Sequence, residues 1–175
     1  MKKVCIQGLG FVGSAMSTAI ALAKKNNKPL YEVVGIDLDT PEGNQRINAI
    51  NNGNFPFETS DNKLKKSLKK CSRINLRASF DSDEFIDADI IVVDVPFDIS
   101  YLDNEPKLNF SKLRSAIKVI GKRVKPKTLV LIETTVPPGT CEKIIIPCLE
   151  KELKNRSLSL NDIYIAHSYE RVMPG

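Results

Sequence analysis

Three glycines, Gly8, Gly10 and Gly13, stand as G-x-G-x-x-G in the stretch VCIQGLGFVG, with Phe11 and Val12 between the last two. Glycines at this spacing let a tight turn bring backbone N–H groups close to a pyrophosphate. That chemistry needs a buried strand before the turn and a helix after it. Val4, Cys5 and Ile6 supply the strand. Apolar residues then come at helical spacing: Val12, Ala15 or Met16, Ala19 or Ile20, and Leu22 or Ala23. The start of such a helix offers unpaired N–H groups and a partial positive charge to phosphates.

A carboxylate completes the pattern. Tyr31 to Ile36 reads as the next strand, with Asp37 at its end and Asp39 just beyond. Asp37 lies 24 positions after Gly13, a spacing stretched by the polar turn KKNNKP. A carboxylate there accepts hydrogen bonds from both ribose hydroxyls and repels a 2′-phosphate, which favours NAD over NADP. The plainer alternative is a strand-helix-strand unit whose glycines serve packing alone.

Further candidates lie at later strand ends. Val95, Pro96 and Phe97 come after an apolar strand, and Thr134 and Thr135 after another that ends at Glu133. Threonine hydroxyls there can donate to a carboxamide or order a water; the alternative is turn chemistry before a helix. Glu170 comes after the last strand and is placed to act as a general base, directly or through water. Arg171 beside it can pair with a phosphate or carboxylate. Both are equally compatible with a solvated tail.

Composition bounds these readings. A chain of 175 residues, 42% hydrophobic and 27% charged, suits one soluble globular domain with a sizeable core. Its apolar runs are far too short to cross a membrane. Residues 1–20 lack the pattern of a signal peptide, because the glycine fingerprint breaks the apolar run after Lys2 and Lys3, so a cytoplasmic protein is expected. The net charge is +5, and KLKKSLKK (Lys63 to Lys70) has the look of a nucleic-acid patch. Leu64 and Leu68 are four apart, however, and no aromatic residue is interleaved for base stacking. A solvated helix face with one apolar edge is expected, with neither nucleic acid nor membrane as partner.

The four cysteines are widely spaced and His167 is the only histidine, so neither a zinc site nor a disulfide framework is expected. Cys5, Cys141 and Cys148 read as small buried apolar residues. Cys71 stands near Lys69, Lys70 and Arg73, whose charges would lower its pKa.

The elements that must position these groups alternate strand and helix. Strands are expected over about 3–7, 31–36, 74–79, 88–95, 128–133 and 162–166. Helices are expected over about 11–25, 41–51, 61–70, 110–124 and 140–155, the last kinked or interrupted by Pro147. Residues 81–87 read as an acidic turn, and 97–109 as a loop long enough to carry a function. The fold class is α/β: a Rossmann-type, doubly wound, mostly parallel sheet in the order 3-2-1-4-5-6, with helices on both faces. Two helices rather than one join the second and third strands.

Together these residues resemble the UDP-glucose/GDP-mannose dehydrogenase family, in its N-terminal NAD-binding domain. GLGFVG (Gly8 to Gly13) is similar to the family's opening GLGYVG, and GIDLD (Gly35 to Asp39) to its second-strand end. INAINNGNFPF (Ile47 to Phe57) resembles its asparagine-x-glycine and proline segment, and DADIIVVDVP (Asp87 to Pro96) its fourth strand. ETTVPPGT (Glu133 to Thr140) resembles ESTVPPGT, which is specific to the family. SYERVMPG (Ser168 to Gly175) is similar to the SPER-x-x-PG form of the branch that oxidises N-acetylated sugars, notably UDP-N-acetylmannosamine dehydrogenases.

The resemblance implies oxidation of a nucleotide sugar's primary alcohol to a carboxylate, with two hydrides passing to two NAD molecules, for polysaccharide precursor synthesis. It implies that the glycines, Asp37 and the fourth-strand end hold NAD, and that Thr135 and Glu170 hold a water and assist proton transfer. It also implies a later domain with a cysteine that captures the aldehyde, a nucleotide-sugar site, and a homo-oligomeric full-length enzyme. Residues 1–175 then form the NAD-binding domain, which alone binds NAD weakly and turns nothing over. Phe97 and Asp98 replace the usual threonine-proline, Thr134 replaces serine and Tyr169 replaces proline. A stand-alone NAD-binding sensing module, or another β-hydroxyacid-type dehydrogenase domain, are the alternative readings.

Overall fold

A computed structural model describes residues 1–97, 99–102 and 105–171. Six parallel strands build the central sheet: β1 (Lys2–Gln7), β2 (Tyr31–Ile36), β3 (Leu76–Ser79), β4 (Ile90–Val93), β5 (Leu129–Ile132) and β6 (Tyr164–His167). In these chain-order numbers the spatial order is 3-2-1-4-5-6, as expected from the alternating pattern. β1 pairs with β2 through Val4 and Val33 and with β4 through Val4 and Ile90, so the order reverses beside β1. Ligands of such sheets lie at that reversal, off the carboxyl ends of the strands.

Among the described residues five α-helices flank the sheet: α1 (Phe11–Ala21), α2 (Pro41–Asn51), α3 (Asn62–Cys71), α4 (Ser111–Gly121) and α5 (Ile146–Lys154). Alternate strand residues feed two cores. Cys5, Val34, Ile91, Val93, Val130 and Ile132 meet Leu113, Ile117, Ile120 and Leu149 of α4 and α5. On the other face Val4, Ile6, Val33 and Val92 meet Ala21, Ile47, Ile50 and Leu68 of α1, α2 and α3. Thr40 caps α2, its hydroxyl accepting from Gly43 N at 3.1 Å, with Pro41 at the first position. Asp61 caps α3 by accepting from Leu64 N at 2.9 Å. In α3, Leu68 and Cys71 are buried and the lysines lie outward, which gives KLKKSLKK a solvated face.

Several expectations are corrected. The first helix stops at Ala21, not about 25, because Asn26 (φ 52°) and Asn27 (φ 62°) turn a small hairpin between Lys24–Lys25 and Lys28–Pro29. Residues 97–109 are not all loop: Ile99–Leu102 pairs antiparallel with Glu105–Leu108. The strands at 74–79 and 88–95 are shorter than read, 76–79 and 90–93. Pro147 does interrupt its helix: a π-helical segment, Cys141–Ile145, precedes α5, and Pro147 sits in that helix's first turn. Cys141 and Cys148 are half-buried rather than buried. Cys71 is buried, and desolvation raises its pKa against the opposing pull of Lys24 and Lys70. Burial likewise pushes the Cys5 thiol up to about 12.

Candidate functional site

β1 ends at Gln7, and the chain turns through Gly8, Leu9 and Gly10 into α1. Gly8 N donates to Ile36 O at 2.8 Å, which ties the turn to the end of β2. Gly8 has φ +101°, and a side chain there would lie 2.5 Å from the Asp94 carbonyl oxygen. The turn is thus pressed against the end of β4. Gly10 caps α1 without any side-chain hydrogen bond, so the first N–H groups of the helix stay available. An added Cβ at Gly10 would meet nothing within 4 Å. Open space in front of a helix N-terminus is what an incoming pyrophosphate needs.

A crevice of about 680 Å³ runs from this turn across the end of β2. Gly8 and Gly10 line one part, Asp37 and Asp39 another, and Val95 and Pro96 the wall from β4. Asp37 is 9% exposed. Its Oδ1 accepts from Leu38 N at 2.8 Å, and its Oδ2 accepts from Arg46 Nη1 at 3.1 Å. Asp39 is exposed and accepts from Asn44 Nδ2 at 2.7 Å. Arg46 comes from α2 and stands 5.8 Å from the ring centre of Phe57. Arg46, Phe57, Phe80 and the α4 residues Ser115 and Val119 also line the crevice, and sequence reading missed all five. A basic residue nine positions after Asp37, on the helix that Thr40 caps, was the available signal for Arg46.

The other candidates occupy different places. Phe11 packs edge-on against Phe55 at 5.4 Å and near Phe57 at 6.0 Å, and Val12 is half-buried on α1. Gly13 is buried behind the turn. Phe97 stacks on Phe110 with ring centres 5.0 Å apart. The Thr134 hydroxyl lies within hydrogen-bonding distance of two carbonyls, Val95 O at 2.9 Å and Val93 O at 3.1 Å, so it joins the ends of β4 and β5. Thr135 Oγ1 donates to the backbone oxygen of Glu170 at 2.8 Å, and Glu170 N donates to Glu133 O at 3.1 Å. Thr135 and Glu170 are therefore neighbours, and neither is among the crevice residues. Arg171 is exposed. Asp98 and residues 172–175 of the SYERVMPG segment lie outside the described residues.

The sequence as a whole matches the UDP-glucose/GDP-mannose dehydrogenase family, NAD binding domain, over residues 2–175. The chain belongs to this family. It is 35% identical over 176 residues to a UDP-N-acetyl-D-mannosamine dehydrogenase of Methanococcus maripaludis, covering 100% of this chain and 35% of that protein. Among solved structures it resembles an NDP-N-acetyl-D-galactosaminuronic acid dehydrogenase from Methanosarcina mazei, with a TM-score of 0.87, 27% identity and coverage of 100% and 36%. It also resembles a UDP-D-ManNAc dehydrogenase from Pyrococcus horikoshii, with a TM-score of 0.80, 28% identity and coverage of 99% and 37%. The chain thus spans about a third of the length of these family members. It is an NAD-binding Rossmann domain, and the crevice at its order reversal fits that cofactor. Among the described residues no helix is long and apolar enough to cross a membrane.

Proposed function

We propose that this chain supplies the cofactor site of a nucleotide-sugar 6-dehydrogenase, which oxidises the sugar's primary alcohol to a carboxylate for polysaccharide precursors. The whole enzyme works in the cytoplasm as a homo-oligomer, and the remaining part of the family's length supplies the sugar site and the nucleophile. An N-acetylated UDP-hexosamine is the first substrate class to test, from the likeness to UDP-N-acetyl-D-mannosamine dehydrogenases.

The observation that carries this reading is the crevice linking the open N-terminus of α1 to Asp37. NAD, when bound, supplies the hydride acceptor. Gly8, Gly10 and the backbone N–H groups of Phe11, Val12 and Gly13 hold its pyrophosphate. The Asp37 carboxylate receives the ribose hydroxyls, and Asp39 lies at the same rim. Val95, Pro96 and Phe97 close the wall from β4, and Thr134 fixes that wall by bonding Val93 and Val95. Thr135 and Glu170 hold a water and assist removal of the proton from the substrate's hydroxyl oxygen, with Arg171 placed to meet the anionic substrate.

Titration of the chain with NAD and NADP tests the cofactor half. NAD binds, and NADP binds at least about tenfold more weakly, a difference of about 1.4 kcal/mol. Asp37→Ala weakens NAD by about tenfold or more and narrows the gap to NADP, because Arg46 is released to meet a 2′-phosphate. Absence of NAD binding at neutral pH overturns the reading. For the full-length enzyme, UDP-N-acetylmannosamine should drive NADH formation, and Glu170→Gln should slow it by about 100-fold or more.

A further inference from the structure

Two carboxyl groups lie buried behind the glycine turn, and the function proposed above uses neither of them. Asp94 comes just after β4 and Glu133 just after β5, each 8% exposed. Val93 of β4 pairs with Ile132 of β5, so Asp94 and Glu133 follow at neighbouring positions on the two parallel strands, and each perturbs the other's ionisation. Two ionised carboxylates have no proton to donate, so a hydrogen bond between them requires a proton on one. Asp94 Oδ2 and Glu133 Oε2 are each buried without a hydrogen-bond partner among the described residues. An ionised pair there would be costly, since each charge would be desolvated beside its like.

The surroundings do not relieve that cost. β1 contributes Gln7, a neutral amide whose Oε1 is itself buried without a partner among the described residues. α1 contains no charged residue. The segment after β6 contributes Glu170, a third acid that disfavours ionisation of both. No described cation contributes to the balance at either group. Burial, first, and then Glu133 hold Asp94 up to about 8, and burial, with Glu170, raises Glu133 as well. The single proton belongs to the pair rather than to either member.

The pair is also tied to the cofactor turn. The Asp94 carbonyl lies where a Gly8 side chain would be, and the Asp94 Cβ would lie 3.4 Å from a Cβ at Gly13. Asp94 N donates to Gln7 O at 2.9 Å, and Glu133 N donates to Val93 O at 3.1 Å. Separation of the two side chains would therefore move the strand ends that seat the glycines.

We propose that Asp94 and Glu133 are positioning residues that share one proton, and that this proton holds the ends of β4 and β5 together beneath the glycine turn in the form that takes NAD. The proposal rests on the NAD-binding reading. It makes NAD affinity fall at alkaline pH, because repulsion between two ionised carboxylates opens the seat of an anionic pyrophosphate.

The test is calorimetric titration of the chain with NAD from about pH 6.5 to 9.5, for wild type and Asp94→Asn, whose amide donates to Glu133 without a titrating proton. Wild-type affinity is level below about pH 8 and then falls by up to about tenfold per pH unit, while Asp94→Asn changes less than about threefold. Parallel profiles for the two proteins overturn the proposal. Glu133→Gln, which restores the bond from the other side, should also be flat, and it stands in if Asp94→Asn does not fold. The melting temperature reads the same proton without cofactor. Wild type loses stability relative to Asp94→Asn as pH rises from about 4 to about 8, since only its folded state retains the proton. A constant difference in melting temperature overturns the shared proton. Absence of NAD binding by wild type at neutral pH instead overturns the functional reading, a failure the melting curves keep separate.

Discussion

A methyl group added at Gly10 meets no atom within 4 Å, whereas one added at Gly13 lands 1.9 Å from the Gly8 carbonyl oxygen. The two positions belong to one motif yet answer to different forces. Gly10 faces the open crevice proposed to take the pyrophosphate, and its backbone is extended (φ −61°, ψ −174°), a conformation alanine also adopts. Gly13 packs α1 onto the strand behind it. Gly10→Ala should therefore leave the melting temperature within a few degrees of wild type and weaken NAD binding by about tenfold or more. Gly13→Ala should cost more than about 4 kcal/mol in denaturant unfolding. If Gly10→Ala unfolds the chain, or Gly13→Ala is silent, this division of roles is wrong. The motif was legible because spacing and context are local. The partner of Asp37 was not: Arg46 reaches it only once α2 folds back along β3, and no local period encodes that approach.

At the scale of elements, the asparagine-x-glycine segment acquires a structural reason. β3 is an edge strand of the sheet. Asn51, at the end of α2, bonds it as another strand would: Nδ2 donates to Ala78 O at 2.9 Å, and Ala78 N donates to Oδ1 at 2.7 Å. Gly53, after the C-cap Asn52, has φ +76°, a conformation suited to glycine, and lets the chain leave the helix toward the Phe55 and Phe57 cluster. Asn51→Ala should lower stability by about 2 kcal/mol and leave β3 open to pairing between molecules, read as increased light scattering near the melting transition. The long helices and buried strands were legible because apolar residues recur with a clear period. The small hairpins were not. Lys24 and Lys25 are good helix formers, and only the left-handed pair Asn26 and Asn27 redirects them.

Across the whole molecule, ionic contacts join distant parts of the chain. Glu84, in the turn Ser82–Phe85, takes both guanidinium nitrogens of Arg77 at 2.6 and 2.8 Å and the ammonium of Lys3 at 2.8 Å. Lys3 also bonds Asp87. The Arg77 hydrogen bonds, with Lys3 assisting, hold the Glu84 carboxyl down to about 2. Its contribution is present above about pH 4.5 and is lost as pH falls toward 2, because protonation then breaks the bonds. The Asp94–Glu133 pair has the opposite sign and loses stability as pH rises. Glu84→Gln should cost about 1.5 kcal/mol at neutral pH and flatten the acid limb below pH 4.5 while leaving the alkaline limb unchanged. Chemical denaturation at a series of pH values checks both limbs, and an unaltered acid limb would remove Glu84 from this role.

The sequence by itself determined the α/β class, the strand order, the glycine turn, the acid at the end of the second strand and the family. Each of these rests on residues near one another in the chain or on a repeated period. Only the tertiary structure decided what stands opposite them. It set Arg46 against Asp37, Thr135 beside the Glu170 backbone, and Asp94 against Glu133 across 39 positions of sequence. Parallel strands bring residues from separate units to one edge of the sheet, and the burial that perturbs their charges exists only when those edges meet.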